Sequence, residues 1–177
     1  YTITHTYSGP GNYKVCFEKP NRTAGVINIA NSVNQIMAFE SLLVIPTFGS
    51  GKNTSSVFAN HPLESGCFNN GCFTHNPLAT DLEGDSLSYE IIMCMVSGGT
   101  TAYTYPSTAA GGTFSINAVT GLLNWCTPQL AGEYSVGILI KEWRKDDGGT
   151  YFLVGYVVRD TYLSVSTCTG INDVFEK

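Results

Sequence analysis

Apolar and polar residues alternate along most of the chain with a period of two, which is typical of β-strands with one buried face. The clearest alternating segments cover residues 37–45, 86–96, 132–142 and 151–166, and shorter ones cover 1–7, 13–18, 26–29 and 112–117. Clusters of Gly, Pro, Asn and Asp separate them, and no window of helical length carries a sustained period of 3.6 residues. The pattern therefore predicts an all-β fold of antiparallel sandwiches joined by tight turns.

The segment 46–77 differs from the rest, because Gly, Ser, Asn and Pro are frequent and apolar residues occur singly. It is longer than an ordinary connection, so it predicts a junction between two domains. We expect a short N-terminal β domain over residues 1–62, a junction loop over 63–76, a second sandwich over 77–170 and a tail over 171–177. The first part is small for an independent sandwich, so we expect it to use strands of a preceding segment or to pack against the second part.

The charge and the cysteine content of the chain exclude some classes of protein and favour an extracellular one. Nine basic residues and a net charge of -5 argue against a nucleic-acid partner, and no apolar run is long enough for membrane insertion. Six cysteines favour a disulfide framework and an extracellular location over a zinc site, since no C-x-x-C pair occurs and the three histidines lack ligand spacing. The chain starts at Tyr1, which we interpret as a processed or excised piece of a longer protein.

Two regions resemble known β modules. The stretch TYSGPGNYKV over residues 6–15 is similar to the closing hairpin of PKD-type repeats. Residues 75–168 resemble the cadherin-like and immunoglobulin-like modules of bacterial surface proteins in three ordered blocks, ATDLEGDSLSY (79–89), GTFSINAVTGLLNW (112–125) and GEYSV (132–136). Segments 17–22 and 155–160 further resemble large secreted proteins of gliding bacteria that use type IX secretion.

The resemblance implies a secreted, cell-surface, non-enzymatic β-sandwich that acts in cell adhesion or as a structural spacer. Its partners would be neighbouring domains of the same long chain, together with surface glycans or other cell-surface proteins. The several-calcium junction of animal cadherins is not implied, because the L-D-R-E and D-x-N-D-N segments are missing.

Three alternating acids, Asp81, Glu83 and Asp85, give the second block a candidate calcium site. Calcium takes about six to eight oxygen ligands, so further carboxylates must come from later strands, and Glu142 and Asp160 are the candidates. An EF-hand is excluded, because its twelfth position would be Ile92 instead of a bidentate Glu.

The alternative for the same loop is a plain turn that leads into a strand. Asp81 and Asp85 would then accept hydrogen bonds from nearby backbone amides, while Gly84 takes a positive φ. Asp85-Ser86-Leu87 also resembles the D-S-hydrophobic triplet used for O-glycosylation in the same bacteria, which makes Ser86 a glycan candidate.

A second functional hypothesis is a carbohydrate-binding module of a secreted enzyme or surface receptor, with Tyr103, Tyr105 and Trp143 as an exposed platform. Its alternative is that these aromatics fill the core, as we expect for Trp125. We do not expect an enzyme: the adjacent acids on an exposed loop would repel each other and stay ionised, and there is no G-x-S-x-G motif.

Overall fold

In the computed structural model, residues 4–60, 63–67, 71–94, 103–106 and 108–167 are described. The predicted all-β class is confirmed, since the described ranges form strands and one short 3-10 helix, Ser32–Asn34. The strands are β1 (Gly11–Lys19), β2 (Met37–Ile45), β3 (Val57–Phe58), β4 (Leu63–Cys67), β5 (Cys72–His75), β6 (Ala79–Thr80), β7 (Ser86–Ile92), β8 (Thr108–Ile116), β9 (Leu123–Pro128), β10 (Gly132–Lys145) and β11 (Tyr151–Ser166). Among the described residues, no helix is long and apolar enough to cross a membrane.

The larger sheet is built around the long hairpin of β10 and β11. Its strand order is β1-β2-β11-β10-β7 with antiparallel pairing throughout, and β4 runs parallel to β11. Because β10 lies along one edge of β11, β2 and β4 share the other edge, at Gly155–Val157 and Tyr162–Ser166 respectively. The turn 146–149 closes the hairpin, where the Asp146 amide donates to the Thr150 carbonyl at 2.9 Å.

The first two strands belong to this same sheet. β2 pairs with β11, and β1 extends the sheet by pairing along the whole of β2. β4, in the expected junction loop, also pairs with β11. The expected boundaries at 62 and 76 therefore do not coincide with a break in the hydrogen-bonded sheet, and the N-terminal part packs against the second part.

A smaller sheet of order β5-β9-β8 faces the larger one, and the main core lies between them. Trp125 is fully buried there, as expected, with its ring edge-on to Tyr134 at 4.7 Å between centroids. The disulfide Cys72–Cys126 joins directly opposite residues of β5 and β9. The predicted disulfide framework is thus confirmed for one pair, whereas Cys16 is an exposed free thiol and Cys94 a buried one.

A second, smaller core covers the other face of the large sheet at one end. It contains Val26, Ile29, Cys94 and Tyr103, packed against Tyr162 of β11. The predicted strand over 26–29 is replaced there by isolated bridges to Glu133 and Tyr103, since left-handed residues, Gly25 and Asn31, turn the chain on either side.

The N-terminal hairpin predicted from residues 6–15 is not formed by strands. Residues 4–10 belong to no strand, and β1 begins only at Gly11. The segment instead folds back on β1, where the Tyr13 hydroxyl donates to the Gly9 carbonyl at 2.7 Å and the Tyr7 ring lies 4.3 Å from the Tyr13 ring. The proline and glycine that suggested a hairpin turn make a bend.

Candidate functional site

The acidic loop between β6 and β7 forms the predicted turn. Gly84 has a φ of 82°, and its amide approaches the Asp81 carbonyl at 3.4 Å. The amide of Asp85 donates to Oδ1 of Asp81 at 2.9 Å. One oxygen of Asp81 therefore closes the turn before β7 begins at Ser86.

Asp85 holds an arginine of β10. Nε and Nη2 of Arg144 donate to the two Asp85 oxygens at 2.7 and 2.6 Å, a bidentate geometry that fixes both side chains. The same guanidinium donates to the Lys52 carbonyl at 2.5 Å and to Oδ1 of Asn53 at 2.7 Å. The hydrogen bonds that Arg144 donates to Asp85 raise the pKa of Arg144 against the opposing effect of burial, and the Asp85, Glu83 and Asp81 charges raise it further.

Two more contacts fasten the segment 52–56, one to the acidic loop and one to β11. Oε2 of Glu83 accepts from the Thr54 amide at 3.1 Å and from its hydroxyl at 2.7 Å. Nδ2 of Asn53 donates to the carbonyl of Val154 on β11 at 2.8 Å. Glu83 and Asn53 thus connect this strand-free segment to the acidic loop and to β11.

Glu142 is the buried member of the group, with a relative exposure of 0%. Its Oε1 accepts from the amide and hydroxyl of Ser56 at 2.6 and 2.5 Å. Gly155 lies directly opposite on β11, and a Cβ there would overlap Oε2 of Glu142. Burial raises the pKa of Glu142, the Ser56 hydrogen bonds oppose this rise, and the charges of Asp81 and Asp85 add to it.

Two carboxylate oxygens at this site are buried without a hydrogen-bond partner among the described residues: Oδ2 of Asp81 and Oε2 of Glu142. The Asp81 charge acts on Glu142, so the two groups lie within electrostatic reach of each other. Leaving such atoms unpaired costs free energy, which a shared cation or a shared proton would recover. No three His, Cys, Asp or Glu side chains of the described part converge as a ready ligand set, so a cation would also need carbonyl, hydroxyl or water oxygens.

The structure therefore brings four of the five expected ligands to one corner, where Glu142 is the most deeply buried and shares with Asp81 an oxygen that has no partner among the described residues. The fifth, Asp160, is elsewhere. It lies opposite Gly137 on β10, five residues from Glu142, and side chains an odd number of residues apart on a strand point to opposite faces. Asp160 instead pairs with Arg22 at 2.7 Å, with both side chains almost fully buried. This corrects its assignment as a ligand.

Sequence reasoning missed Arg144 and Ser56. Arg144 follows Glu142 by two positions on β10, a spacing that would place both near one loop, but a bulge between Glu142 and Trp143 alters the alternation there. No sequence pattern marks Ser56 as part of a site, because it lies in the segment 46–77, which was interpreted as a domain junction.

The aromatic platform is not assembled as expected. Tyr103 is 8% exposed and belongs to the second core, so it cannot stack on a sugar. Trp143 is half-buried, with Nε1 donating to the Ser88 hydroxyl at 2.8 Å. Tyr105 is 50% exposed and lines a groove of about 530 Å³ on the outer face with Tyr156 and Lys141. Ser86, the glycan candidate, is exposed at the start of β7.

No protein family and no curated protein matches the chain. A solved structure described as a nucleoside hydrolase-related hypothetical protein from Saccharophagus degradans that is associated with carbohydrate metabolism is similar over 66% of this chain, with 20% identity and a TM-score of 0.37. The match covers 27% of that protein, so the chain spans about a quarter of its length. A TM-score this low assigns neither a fold family nor a function.

Proposed function

We propose that the protein is a non-enzymatic β-sandwich module of an extracellular surface protein, acting in adhesion or as a spacer, and that one calcium ion rigidifies it. The observation that carries the calcium site is the pair of buried, unpartnered carboxylate oxygens on Asp81 and Glu142. The all-β architecture, the Cys72–Cys126 disulfide and the resemblance to bacterial surface modules support the extracellular role.

A hard cation fits the ligands present, since every donor at the corner is oxygen and calcium tolerates irregular oxygen sites. Arg144 is paired with Asp85, and the charges of Glu83 and Asp81 also act on it. Glu83 accepts two hydrogen bonds from Thr54, which occupy one of its oxygens but leave its charge uncompensated. The oxygens left to bind a cation are those of Asp81 and Glu142, and the affinity we expect is that of extracellular modules, about 10⁻⁴–10⁻³ M.

Such an ion would hold a loop segment against the sandwich. The segment 46–56 is held to the sandwich mainly through side chains, by Arg144, Glu83 and Glu142. Neutralising the repulsion between Asp81 and Glu142 would keep Ser56 bound to Glu142 and would hold that segment against the sheet. A spacer that must transmit force or resist proteases benefits from this fastening.

The test is thermal unfolding of the full chain in chelator and in millimolar calcium. Calcium at about 1 mM should raise the melting temperature, with a stabilisation of about 0.4–1.4 kcal/mol for a Kd of about 10⁻³–10⁻⁴ M. Asp81→Asn and Glu142→Gln should abolish the shift, and Glu90→Gln should keep it, because Glu90 is exposed and pairs with Lys141. An unchanged melting temperature at millimolar calcium, or a shift equal in Glu142→Gln, would contradict the site.

A second candidate, carbohydrate binding, has one observation in its favour: the outer groove, which is lined by the half-exposed Tyr105 and the partly buried Tyr156. Aromatic rings beside the Glu90–Lys141 pair offer both stacking and hydrogen bonding to a sugar. Oligosaccharide binding lost in Tyr105→Ala, and kept in Tyr151→Ala at the far hairpin end, would favour this function. If the protein bound no oligosaccharide on a glycan array, carbohydrate binding would be excluded as its function.

A further inference from the structure

Strand β1 forms an open edge of the large sheet. It is nine residues long, pairs with β2 on one side, and has no strand on its other side among the described residues. Val15 and Phe17 on it are 55% and 58% exposed. Natural edge strands are usually shortened, covered or interrupted by proline, whereas here Pro10 and Pro20 stand only outside the two ends.

The centre of this edge is self-complementary. Residues 14–18 read Lys-Val-Cys-Phe-Glu, a cation and an anion placed symmetrically about a cysteine with an apolar residue on each side. In an antiparallel pair of two such strands centred on Cys16, Lys14 would lie opposite Glu18 of the second copy. Val15 would lie opposite Phe17, and Cys16 opposite its own counterpart.

We propose that β1 is an interaction surface for a second copy of this chain, which adds its own β1 antiparallel in the register centred on Cys16. Opposite charges directly across a strand pair are stabilising, and like charges are destabilising. Parallel in-register pairing would place Lys14 on Lys14 and Glu18 on Glu18. Shifting one strand by one residue would place Lys14 opposite Phe17 or Lys19, so the proposed register satisfies both charges and its neighbours do not.

The exposed thiol then joins the two copies. Directly opposite Cα atoms in antiparallel strands are about 4.5 or 5.5 Å apart, and disulfides bridge Cα atoms about 4.4–6.8 Å apart. This chain already contains a disulfide between directly opposite residues of two antiparallel strands, Cys72–Cys126. Cys16 is free and exposed, and its nearest hydrogen-bond partner is the Glu40 carboxylate at 3.9 Å, which leaves the sulfur accessible.

The covalent step is a thiol–disulfide exchange with a small-molecule disulfide as oxidant. One Cys16 thiolate attacks that disulfide and releases one small thiol. The Cys16 of the second copy, after losing its proton, then attacks the mixed disulfide and releases the other. One protein disulfide forms, and the two electrons and two protons of the Cys16 thiols end on the two small thiols.

The intact chain should be incubated with reduced and oxidised glutathione, then analysed by non-reducing electrophoresis, light scattering and peptide mass spectrometry. We expect a covalent dimer with a Cys16–Cys16 peptide and none in Cys16→Ser. Glu18→Lys should slow the crosslinking about tenfold, because it faces Lys14 of the second copy. Asp147→Lys, the same charge change in the β10–β11 turn, should crosslink at the wild-type rate.

A charge exchange checks the register. Lys14→Glu/Glu40→Lys inverts the ion pair that joins β1 to β2, and mixing this variant with Glu18→Lys should give a heterodimer faster than either variant forms a homodimer. Circular dichroism should show both variants folded. Cys16 bound only to glutathione, crosslinking unaffected by Glu18→Lys, or no preference for the heterodimer would each overturn the proposal.

Discussion

Glu142 and Gly155 lie directly opposite each other on β10 and β11, and the absence of a side chain at 155 makes room for the buried carboxyl. Gly155→Ala should therefore push Oε2 of Glu142 out of place and lower the free energy of unfolding by about 1–3 kcal/mol, measured by urea denaturation.

The clash with Glu142 can be separated from a general effect of replacing glycine by alanine. Gly71→Ala is the matched control, because nothing lies within 4 Å of a Cβ at 71, and it should change stability by less than about 0.5 kcal/mol. In a Glu142→Ala background the cost of Gly155→Ala should shrink. Equal costs in both backgrounds would show that the carboxyl is not the obstacle.

The raised pKa of Glu142 gives a pH dependence with a definite sign. Because the folded-state pKa lies above the usual 4.5, the contribution of Glu142 is fully present below pH 4.5 and is lost as the pH rises through the folded-state pKa. In chelator, wild type should thus gain stability relative to Glu142→Gln on acidification from neutral pH, by up to about 1.4 kcal/mol per pH unit.

Two further conditions test the assignment. Ser56→Ala removes a hydrogen bond that lowers this pKa, so the transition should move to higher pH. Saturating calcium should reverse the trend, since calcium requires the ionised carboxylate. A wild-type and Glu142→Gln difference that is independent of pH in chelator would exclude a perturbed Glu142.

The Asp85–Arg144 pair should matter more than the exposed ion pairs. Its side chains are 4% and 12% exposed, so Arg144→Ala leaves a buried carboxylate unpaired, and we expect a loss of about 3–5 kcal/mol. Lys141→Ala breaks the Lys141–Glu90 pair, exposed by 32% and 57%, and should cost less than about 1 kcal/mol. Hydrogen exchange at 52–56 should rise in the Arg144 variant alone; an unchanged rate would contradict its role as a fastener.

Local pattern sufficed where alternation was long and uninterrupted: the strands at 37–45 and 151–166 have the predicted bounds. The local pattern failed where a segment's structure depends on the strands and side chains with which it pairs. Strand β9 was not predicted, because its alternation of buried and partly buried residues covers only positions 123–126 and stops before Pro128. The segment 46–77 lacks a long pattern because its described strands, β3, β4 and β5, are short and side-chain hydrogen bonds hold the part before them.

The site was predicted in part for the same reason. Asp81, Glu83 and Asp85 are local, so their turn could be read from spacing. Predicting that Glu142 joins them required knowing which late strand lies beside the loop. The sequence does not show this, and the same reasoning wrongly included Asp160. Choosing between the two acids requires the register and the buried face of β10, which depend on pairing with β7 and β11.

The Asp160→Asn variant tests whether Asp160, like Glu142, contributes to calcium binding. The substitution should lower stability, because Arg22 loses its buried counter-charge. It should nevertheless leave any calcium-induced rise in melting temperature unchanged, since Asp160 faces the opposite side of the sheet from Glu142. If the calcium-induced rise in melting temperature were lost in Asp160→Asn but kept in Glu142→Gln, the ion would bind at Asp160, and the proposed site would be wrong.

The Cys72–Cys126 disulfide closes a loop with a sequence separation of 54 and holds the first strand of the small sheet to its centre. In the chain-entropy view, such a loop contributes about 4 kcal/mol by restricting the unfolded chain. Replacing both cysteines by alanine should lower the unfolding free energy by that order, and wild type in reductant should approach the variant. Since Trp125 precedes Cys126 and is fully buried, its fluorescence reports the transition. A double variant as stable as the oxidised protein would show that the pairing of β5 with β9 is sufficient without the bond.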